Sequence, residues 1–194
     1  MQYIGLLASN ERNALLYTPW RVGMVMPPAG LKGTSAIVQI GSDVTESAPN
    51  TFTSQKIDLQ LNPLDQEVFV VLAVNLDLGA PDLLPGQNTQ TNFSLSSTQR
   101  TTVGSLTNSN VIAHKRTQIQ DNGITAVLDE HIAGETPAAS LDYVYIIATN
   151  DFFLNIIGVN NLNAKTGISR VYGYRARASA SVYAALVNSE LLSA

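Results

Sequence analysis

Three arginines in one short stretch are the residues whose types and spacing most readily suggest chemistry. The stretch reads ISRVYGYRARASASVYAALV and covers residues 168–187. We predict one long β-strand across it. Because successive side chains of a strand point to opposite faces, Arg170, Tyr172 and Tyr174 then share one face, while Arg175 and Arg177 share the other.

Three interpretations of these arginines remain open from the sequence. They can be solvated charges on an exposed strand. They can form ion pairs with carboxylates of an adjacent subunit. They can also contact nucleic acid, since arginines interleaved with aromatic residues suit phosphate contact and base stacking.

The N-terminal part of the chain adds further contact candidates. Trp20, the only tryptophan, stands beside Arg21 and can either anchor the first strand in the core or seat the N-terminal segment against a neighbour. The candidate subunit-interface or nucleic-acid contacts are therefore Arg12, Trp20, Arg21, Arg170, Tyr172, Tyr174, Arg175 and Arg177.

Catalytic motifs are missing from the sequence. The chain has no cysteine, which excludes disulfides, thiolate metal sites and cysteine nucleophiles. Its two histidines, His114 and His131, lack the spacing of helical zinc motifs, and neither a nucleophile elbow nor a phosphate-binding loop is present. We expect no catalytic residue, no cofactor and no enzymatic activity.

Acidic residues give weaker alternatives. The segment 129–135 places His131, which we expect in a polar loop, among carboxylates like a metal-ligand cluster. Asp77 and Asp82 could bind calcium or, like Asp65 and Glu67, form a glycosidase pair. Their spacing matches no calcium loop, so we predict no metal site and interpret these acids as solubilising connectors and protecting strand edges.

The composition favours a folded protein with a weakly charged surface. Of 194 residues 45% are hydrophobic and only 13% are charged, with a net charge of -4. The share of charged residues is about half of that in ordinary soluble domains. Both ends of the chain are basic and the middle is acidic, which fits contacts between different parts of neighbouring copies.

Targeting signals are likewise missing from the sequence. The first 20 residues do not match a secretion signal, and the longest apolar run, at 68–74, is too short for a bilayer. We expect a protein made in the cytoplasm with no transmembrane segment.

Strand patterns recur along the chain. We predict strands at 21–27, 35–41, 56–61, 67–78 and 91–97, a hairpin turning at Asp121, Asn122 and Gly123, and two strands within 141–160 joined near Asn150. Residues 10–17 could form one or two helical turns, and the longer connectors are 79–90 and 131–140. About ten strands with Pro-, Gly- and Asn-rich turns indicate an all-β antiparallel sandwich.

As a whole, the pattern resembles the single jelly-roll capsid proteins of icosahedral viruses. An N-terminal segment, MQYIGLLASNERNALLYTPW, precedes core strands such as LNPLDQEVFVVLAVNLD and LDYVYIIATNDFFLNIIG, with Asn/Thr-rich connectors between strands. The resemblance implies a jelly roll of eight to ten strands at 21–194 with an extended arm at 1–20. The arm departs from the strongly basic arms of RNA-packaging capsids, since it holds only Arg12 and Glu11 as charges.

What this resemblance implies is a structural subunit of a virion shell. Its partners are copies of itself and other virion proteins, with nucleic acid a further candidate, and its location is the virion after synthesis in the host cytoplasm. The alternative is a carbohydrate- or ligand-binding sandwich of the lectin or adhesin type, using the loops at 79–90 and 98–110. A glycosidase-like enzyme is the third hypothesis.

Overall fold

The computed structural model describes residues 27–136 and 141–192, and this part of the chain contains ten β-strands and one α-helix. The strands are β1 (Leu31–Gly33), β2 (Val38–Thr45), β3 (Thr53–Asp58), β4 (Glu67–Leu78), β5 (Thr89–Ser96), β6 (Val111–Asp121), β7 (Ala126–Ala133), β8 (Tyr145–Ile147), β9 (Asp151–Val159) and β10 (Thr166–Ala178). A 3₁₀ turn spans Pro63–Asp65, and the helix, α1, spans Ala180–Leu192.

The strands form two antiparallel sheets. In sheet 1, β10 lies between β4 on one side and both β1 and β2 on the other, and β8 follows β4. Sheet 2 has the order β3-β9-β5-β6-β7. The pairs β2–β10, β3–β9, β4–β8 and β5–β6 are nested in the sequence, so the chain is one long antiparallel hairpin wound between two sheets. This is a jelly roll, and the all-β sandwich prediction is confirmed.

Alternating apolar side chains fill the space between the sheets. Along β9, Phe152, Leu154 and Ile156 have no exposed surface, and Phe93 and Leu95 of β5 lie beside them in the same core. Sheet 1 contributes Val44, Phe69, Val71, Val74, Leu76, Leu78 and Val171. Each large side chain buried in this way stabilises the fold by roughly 1.5–3 kcal/mol.

A β-bulge interrupts the longest pairing of sheet 1. Tyr172 lies opposite Ala73 and Gly173 lies opposite Val71, so β4 carries one extra residue, Leu72. At Gly173 the strands approach so closely that a Cβ atom would collide with the Val70 carbonyl oxygen and lie 2.6 Å from the Phe69 ring. Glycine is therefore required at this position.

The C-terminal helix corrects the prediction of a single strand over 168–187. β10 ends at Ala178, and residues from Ala180 onwards are helical. Val182, Tyr183, Leu186 and Val187 form one stripe of α1, which packs on the outer face of sheet 1 against a second apolar cluster. That cluster contains Val68, Val70, Ala148, Tyr174, Ala176 and Ala178. The alanines of β10 leave room for this helix.

Most other strand predictions lie within a few residues of the observed bounds. The hairpin is present between β6 and β7, although its loop covers 122–125 and only Gly123 has a positive φ. Sheet 2 extends further than predicted, because β7 continues to Ala133 into the expected 131–140 connector. The predicted arm at 1–20, helical turns at 10–17 and nearly all of the strand at 21–27 lie outside the described residues.

Candidate assembly surface

The edge strand β7 is the most unusual surface of the described chain. It pairs with β6 alone, and seven of its eight residues are exposed. Val127 and Leu128 expose 60% and 63% of their surface, and Ile132 exposes 42%. A long edge strand with uncovered apolar side chains offers unpaired backbone groups to another strand.

Neighbouring parts of sheet 1 are already paired and do not cover β7. β8 is only three residues long and pairs with Phe69–Val71 of β4. Beyond it, the backbone amide of Val74 donates to the Glu135 carbonyl (2.7 Å), and the amide of Leu76 donates to the Glu135 carboxylate (3.0 Å). Glu135 therefore closes this part of the edge of sheet 1, while no described strand pairs with the outer side of β7.

The two faces of β7 have different characters. Lys115 of β6 is buried toward sheet 1, where its Nζ donates to the Leu76 carbonyl (3.2 Å) and pairs with Glu130 (2.7 Å). Leu128, Glu130 and Ile132 therefore belong to the face directed toward sheet 1, which we call the inner face of β7. Val127, Asp129, His131 and Ala133 form its outer face.

His131 lies in a strand, which corrects the expectation of a polar loop. On the outer face, Asp129 pairs with Arg116 (3.3 Å), and the His131 ring centroid lies 6.3 Å from that of His114. Glu130 points to the opposite face and Glu135 binds β4, so the apparent ligand cluster of 129–135 is dispersed. Within the described ranges no three His, Cys, Asp or Glu side chains are placed to hold a metal ion.

Arg175 and Arg177 have carboxylate partners in their own chain. The Arg175 guanidinium donates to the carbonyls of Leu59 (2.8 Å) and Gln60 (3.1 Å) and pairs with Glu67 (3.2 Å). Arg175 thereby fixes the connector that leads into β4.

Arg177 pairs with Asp65 at 2.8 Å, and both side chains are more than half exposed. Ion pairs as exposed as this one contribute about 0–1 kcal/mol. The contact roles suggested for the two arginines remain predictions.

The remaining candidate residues of the arginine stretch, Arg170, Tyr172 and Tyr174, differ in how far they are buried. Arg170 is exposed on the outer face of sheet 1 between Gly41 and Asn75 and makes no side-chain hydrogen bond within the described ranges. Tyr172 is half-buried beside it. Tyr174 is 4% exposed beneath α1, and burial raises the pKa of its hydroxyl. We therefore place Tyr174 in the core, whereas Arg12, Trp20 and Arg21 lie outside the described residues.

A cleft of about 530 Å³ lies between the outer face of sheet 2 and the loop that joins β5 to β6. Its walls are formed by Phe52, Asn92, Arg100, Thr102, Val103, Gly104, Ser105, Asn108, His114 and Ile157, none of them acidic. Arg100 holds the loop through Asn110 Oδ1 (2.7 Å). Burial, with His131 and Arg116 nearby, lowers the pKa of His114.

Asp82 binds protein groups in place of the calcium considered from the sequence. Its Oδ1 lies 2.6 Å from Lys165 Nζ, and its Oδ2 accepts from the amides of Leu162 (2.8 Å) and Asn163 (3.0 Å). The hydrogen bond from Lys165 is the main reason why the pKa of Asp82 is lowered to about 2. Asp77 lies apart from it, on the exposed outer face of sheet 1.

Comparisons with known proteins give little similarity. No protein-family model matches the chain, and no curated protein matches it. Eight solved chains match by structure. One of them, from Desmodium yellow mottle tymovirus, is 11% identical, and the match covers 80% of this chain and 93% of that chain with a TM-score of 0.27.

The open edge of β7 is the feature that sequence reasoning missed. The alternation in ITAVLD predicted a strand, but whether a strand lies at an edge depends on which distant segments pair with it. The available signal was composition, because Val127, Leu128 and Ile132 leave apolar residues on both faces of this strand. A strand with one buried face would alternate more strictly.

Proposed function

We propose that this protein is a self-assembling structural subunit of a virion shell. The observation that carries the proposal is the open edge strand β7, whose outward-facing backbone groups pair with no strand of residues 27–136 and 141–192 and whose apolar side chains are exposed. Monomeric proteins ordinarily protect such an edge with charged side chains, proline, a bulge or a covering segment. β7 carries Asp129 and Glu130, but each is paired with a cation of β6, Arg116 or Lys115, and the apolar side chains stay exposed. An edge left open in this way suits a protein whose copies cover one another.

Fold and composition support the same function. Jelly rolls occur in viral capsid proteins and also in lectins and cupins, so the fold narrows the choice without deciding it. The low share of charged residues and the basic ends around an acidic middle favour contacts between copies. We propose the virion as the location, with other virion proteins as further partners.

Catalysis has no part in this proposal. Three of the four acids considered as catalytic pairs are engaged by cations, with Asp65 bound to Arg177, Glu67 to Arg175 and Asp82 to Lys165, and the fourth, Asp77, lies exposed on the outer face of sheet 1. Nucleic acid is a weaker partner, for which exposed Arg170 is the best-placed described arginine. Among residues 27–136 and 141–192, no helix is long and apolar enough to cross a membrane.

Light scattering after size exclusion, with negative-stain images of the same peak, tests the proposed function. We expect large uniform particles whose share rises with protein concentration. A protein that stays monomeric over a wide range of salt and concentration would contradict the shell function. The ratio of absorbance at 260 and 280 nm of the particles tests for nucleic acid in the same experiment.

A carbohydrate-binding module is the second candidate, and the cleft on sheet 2 favours it. Asn92, Asn108 and Ser105 offer amide and hydroxyl groups for sugar hydroxyls, and Phe52 offers an apolar wall. The fully buried Ser94 hydroxyl, on the same face of β5 as Asn92, lacks a hydrogen-bond partner among the described residues. A glycan array probed with and without calcium tests this candidate, and binding by monomers would place it first.

A further inference from the structure

We propose that β7 pairs antiparallel with β7 of a second copy across a two-fold axis, which joins two copies of sheet 2 into one ten-stranded sheet. This inference rests on the proposed function, because it names the contact through which copies associate. The occupant of the edge is a second copy of this chain. The side chains of β7 favour one register for this pairing.

The geometry of the sheet limits the registers. A two-fold axis perpendicular to the sheet keeps the inner faces of both copies on the same side, so each residue must lie opposite one from its own face. Inner-face residues of β7 have even numbers and outer-face residues have odd numbers. The axis must therefore pass between two copies of one residue, and the registers centred on Asp129 and Glu130, at the middle of β7, pair the most residues.

Only the register centred on Glu130 joins complementary side chains. It places Leu128 opposite the partner's Ile132 on the inner face, and Asp129 opposite the partner's His131 on the outer face. Both contacts occur twice by symmetry. An apolar pair directly across two strands is worth roughly 0.2–1 kcal/mol, and an imidazole N–H of His131 can donate a hydrogen bond to the Asp129 carboxylate.

The neighbouring registers are poorer. Centring on Asp129 sets two aspartates against each other and Leu128 against the partner's Glu130. Centring on His131 sets two histidines against each other and Glu130 against the partner's Ile132. Both lose the leucine–isoleucine contact that would cover exposed apolar surface, and both set an apolar side chain of the inner face against Glu130.

Glu130 itself lies on the axis of the favoured register, opposite the partner's Glu130. Two facing carboxylates would repel each other if they were unpaired. Each Glu130, however, has the ammonium group of its own Lys115 at 2.7 Å. The lysine compensates the charge, and two Lys115–Glu130 pairs then meet at the axis.

The other free edge of sheet 2 fits β7 less well. β3 pairs only with β9 and carries Lys56, which already binds Asp151 at 2.7 Å. Since β3 and β7 run in the same direction in this five-stranded antiparallel sheet, a head-to-tail contact that preserves the faces is parallel. Parallel pairing is slightly less stable per residue and lacks the symmetry that repeats each contact.

Engineered cysteines test the register, because the chain has no cysteine of its own. Directly opposed residues have Cα atoms about 4.5–5.5 Å apart, a distance that suits a disulfide. We expect Glu130→Cys to give a covalent dimer under mild oxidation. Asp129→Cys, whose thiols would be diagonal across the strands, should give about tenfold less. Gln55→Cys on β3 is the edge-strand control and should stay unlinked.

Because Glu130→Cys also removes the ion pair with Lys115, a second variant tests the register with that ion pair intact. Leu128→Cys combined with Ile132→Cys keeps Glu130 and should link two copies through two disulfides, whereas each single variant should link poorly. Preferential linkage at Asp129, or mixed linkage between Glu130→Cys and Gln55→Cys proteins, would overturn the proposed pairing.

The two proposals fail separately. Large particles without any linkage through β7, including the case in which residues 1–26 cover this edge, would overturn the pairing and leave the shell function standing. Dimers linked at Glu130 that never grow into larger particles would support the pairing and contradict the shell. Monomers without linkage would remove both.

Discussion

Asp82 illustrates how single charged residues hold the connectors of this sandwich. Its carboxylate joins the loop after β4 to the loop before β10 through Lys165 and two backbone amides. Lys165 is buried, at 8% exposure, so its ammonium group depends on this carboxylate. Charge-assisted hydrogen bonds of this kind are stronger than neutral ones.

We predict that Asp82→Asn lowers the free energy of unfolding by about 2 kcal/mol at pH 7, because it leaves Lys165 without its anionic partner. The pKa of Asp82 is about 2, below its ordinary value of 3.8. The stabilisation is therefore present above about pH 4 and is lost as the pH falls toward 2. Urea unfolding at several pH values measures it.

Exposed Asp77 provides the matched control for this substitution. Asp77→Asn should change the free energy of unfolding by less than about 0.5 kcal/mol. An equal loss in both variants, or a loss in Asp82→Asn that persists unchanged at pH 2, would contradict this role of Asp82.

Gly173 is a residue whose replacement tests the packing at the bulge. We predict that Gly173→Ala destabilises the protein by about 1–3 kcal/mol, because the added methyl group meets the Val70 carbonyl and the Phe69 ring. Thermal unfolding measures the effect. Gly41→Ala on the neighbouring strand is the control, since a Cβ atom there meets nothing within 4 Å.

At the scale of elements, α1 is attached to sheet 1 by apolar packing and by one buried carboxylate. Glu190 is 3% exposed and accepts from the backbone amides of Ala148 (3.2 Å) and Thr149 (2.9 Å), just after β8. Burial raises the pKa of Glu190, although the hydrogen bonds from these residues act against that shift. The helix thus completes the end of the short strand β8.

We predict that Glu190→Ala lowers the free energy of unfolding by about 1–3 kcal/mol, because two backbone donors lose their acceptor. Since the pKa of Glu190 is raised in the folded protein, its favourable contribution is largest below its ordinary pKa and declines as the pH rises. The destabilisation should therefore be larger at pH 4 than at pH 8. Chemical unfolding at both pH values measures it.

Leu191→Ala is the control, because Leu191 is 63% exposed and should change stability little. A destabilisation in Glu190→Ala that increases from pH 4 to pH 8 would show that the sign of this linkage is wrong.

Local patterns in the sequence predicted most of the strands, but not which segments pack against them. Alternation marked β6, the second part of β4 and the first part of β10, since a strand with one buried face repeats every two residues, and apolar runs marked β9 and the start of β4. The strand predicted from this alternation was extended beyond its observed end at Ala178, into residues 179–187. From Val182 to Glu190 the apolar residues have the spacing of one face of a helix. The helix α1 forms there because sheet 1 offers an apolar face on which it can pack.

Contacts between residues far apart in the sequence could not be predicted, because they depend on how the jelly roll winds the chain. The partners of Arg175 lie more than 100 residues earlier in the chain, and only the winding of the jelly roll brings the connector before β4 to β10. The exposed edge of β7 depends likewise on Glu135 closing the edge of sheet 1. Of the candidate contact residues, the sequence correctly separated the two faces of β10, but it did not reveal that Tyr174 is covered.

At the scale of the whole molecule, sheet 2 has two outer strands, β3 and β7, that each pair on one side only within the described residues, and β7 is the one that exposes a row of apolar side chains. Ion pairs such as Asp82–Lys165 hold the connectors in place, and α1 covers part of the outer face of sheet 1. At β7, the outward-facing backbone groups pair with no strand of the described residues, and the apolar side chains are exposed. Association through this edge is the central claim.

Sedimentation velocity of the wild-type protein beside Ile132→Lys and Ile124→Lys tests that claim most directly. Ile132 lies within the proposed pairing, whereas Ile124 is 90% exposed at the hairpin tip outside it, so the two variants make the same chemical change. We predict concentration-dependent association for the wild type and Ile124→Lys, and weakening by about tenfold or more for Ile132→Lys. Equal association of all three proteins, or none in the wild type, would contradict the claim.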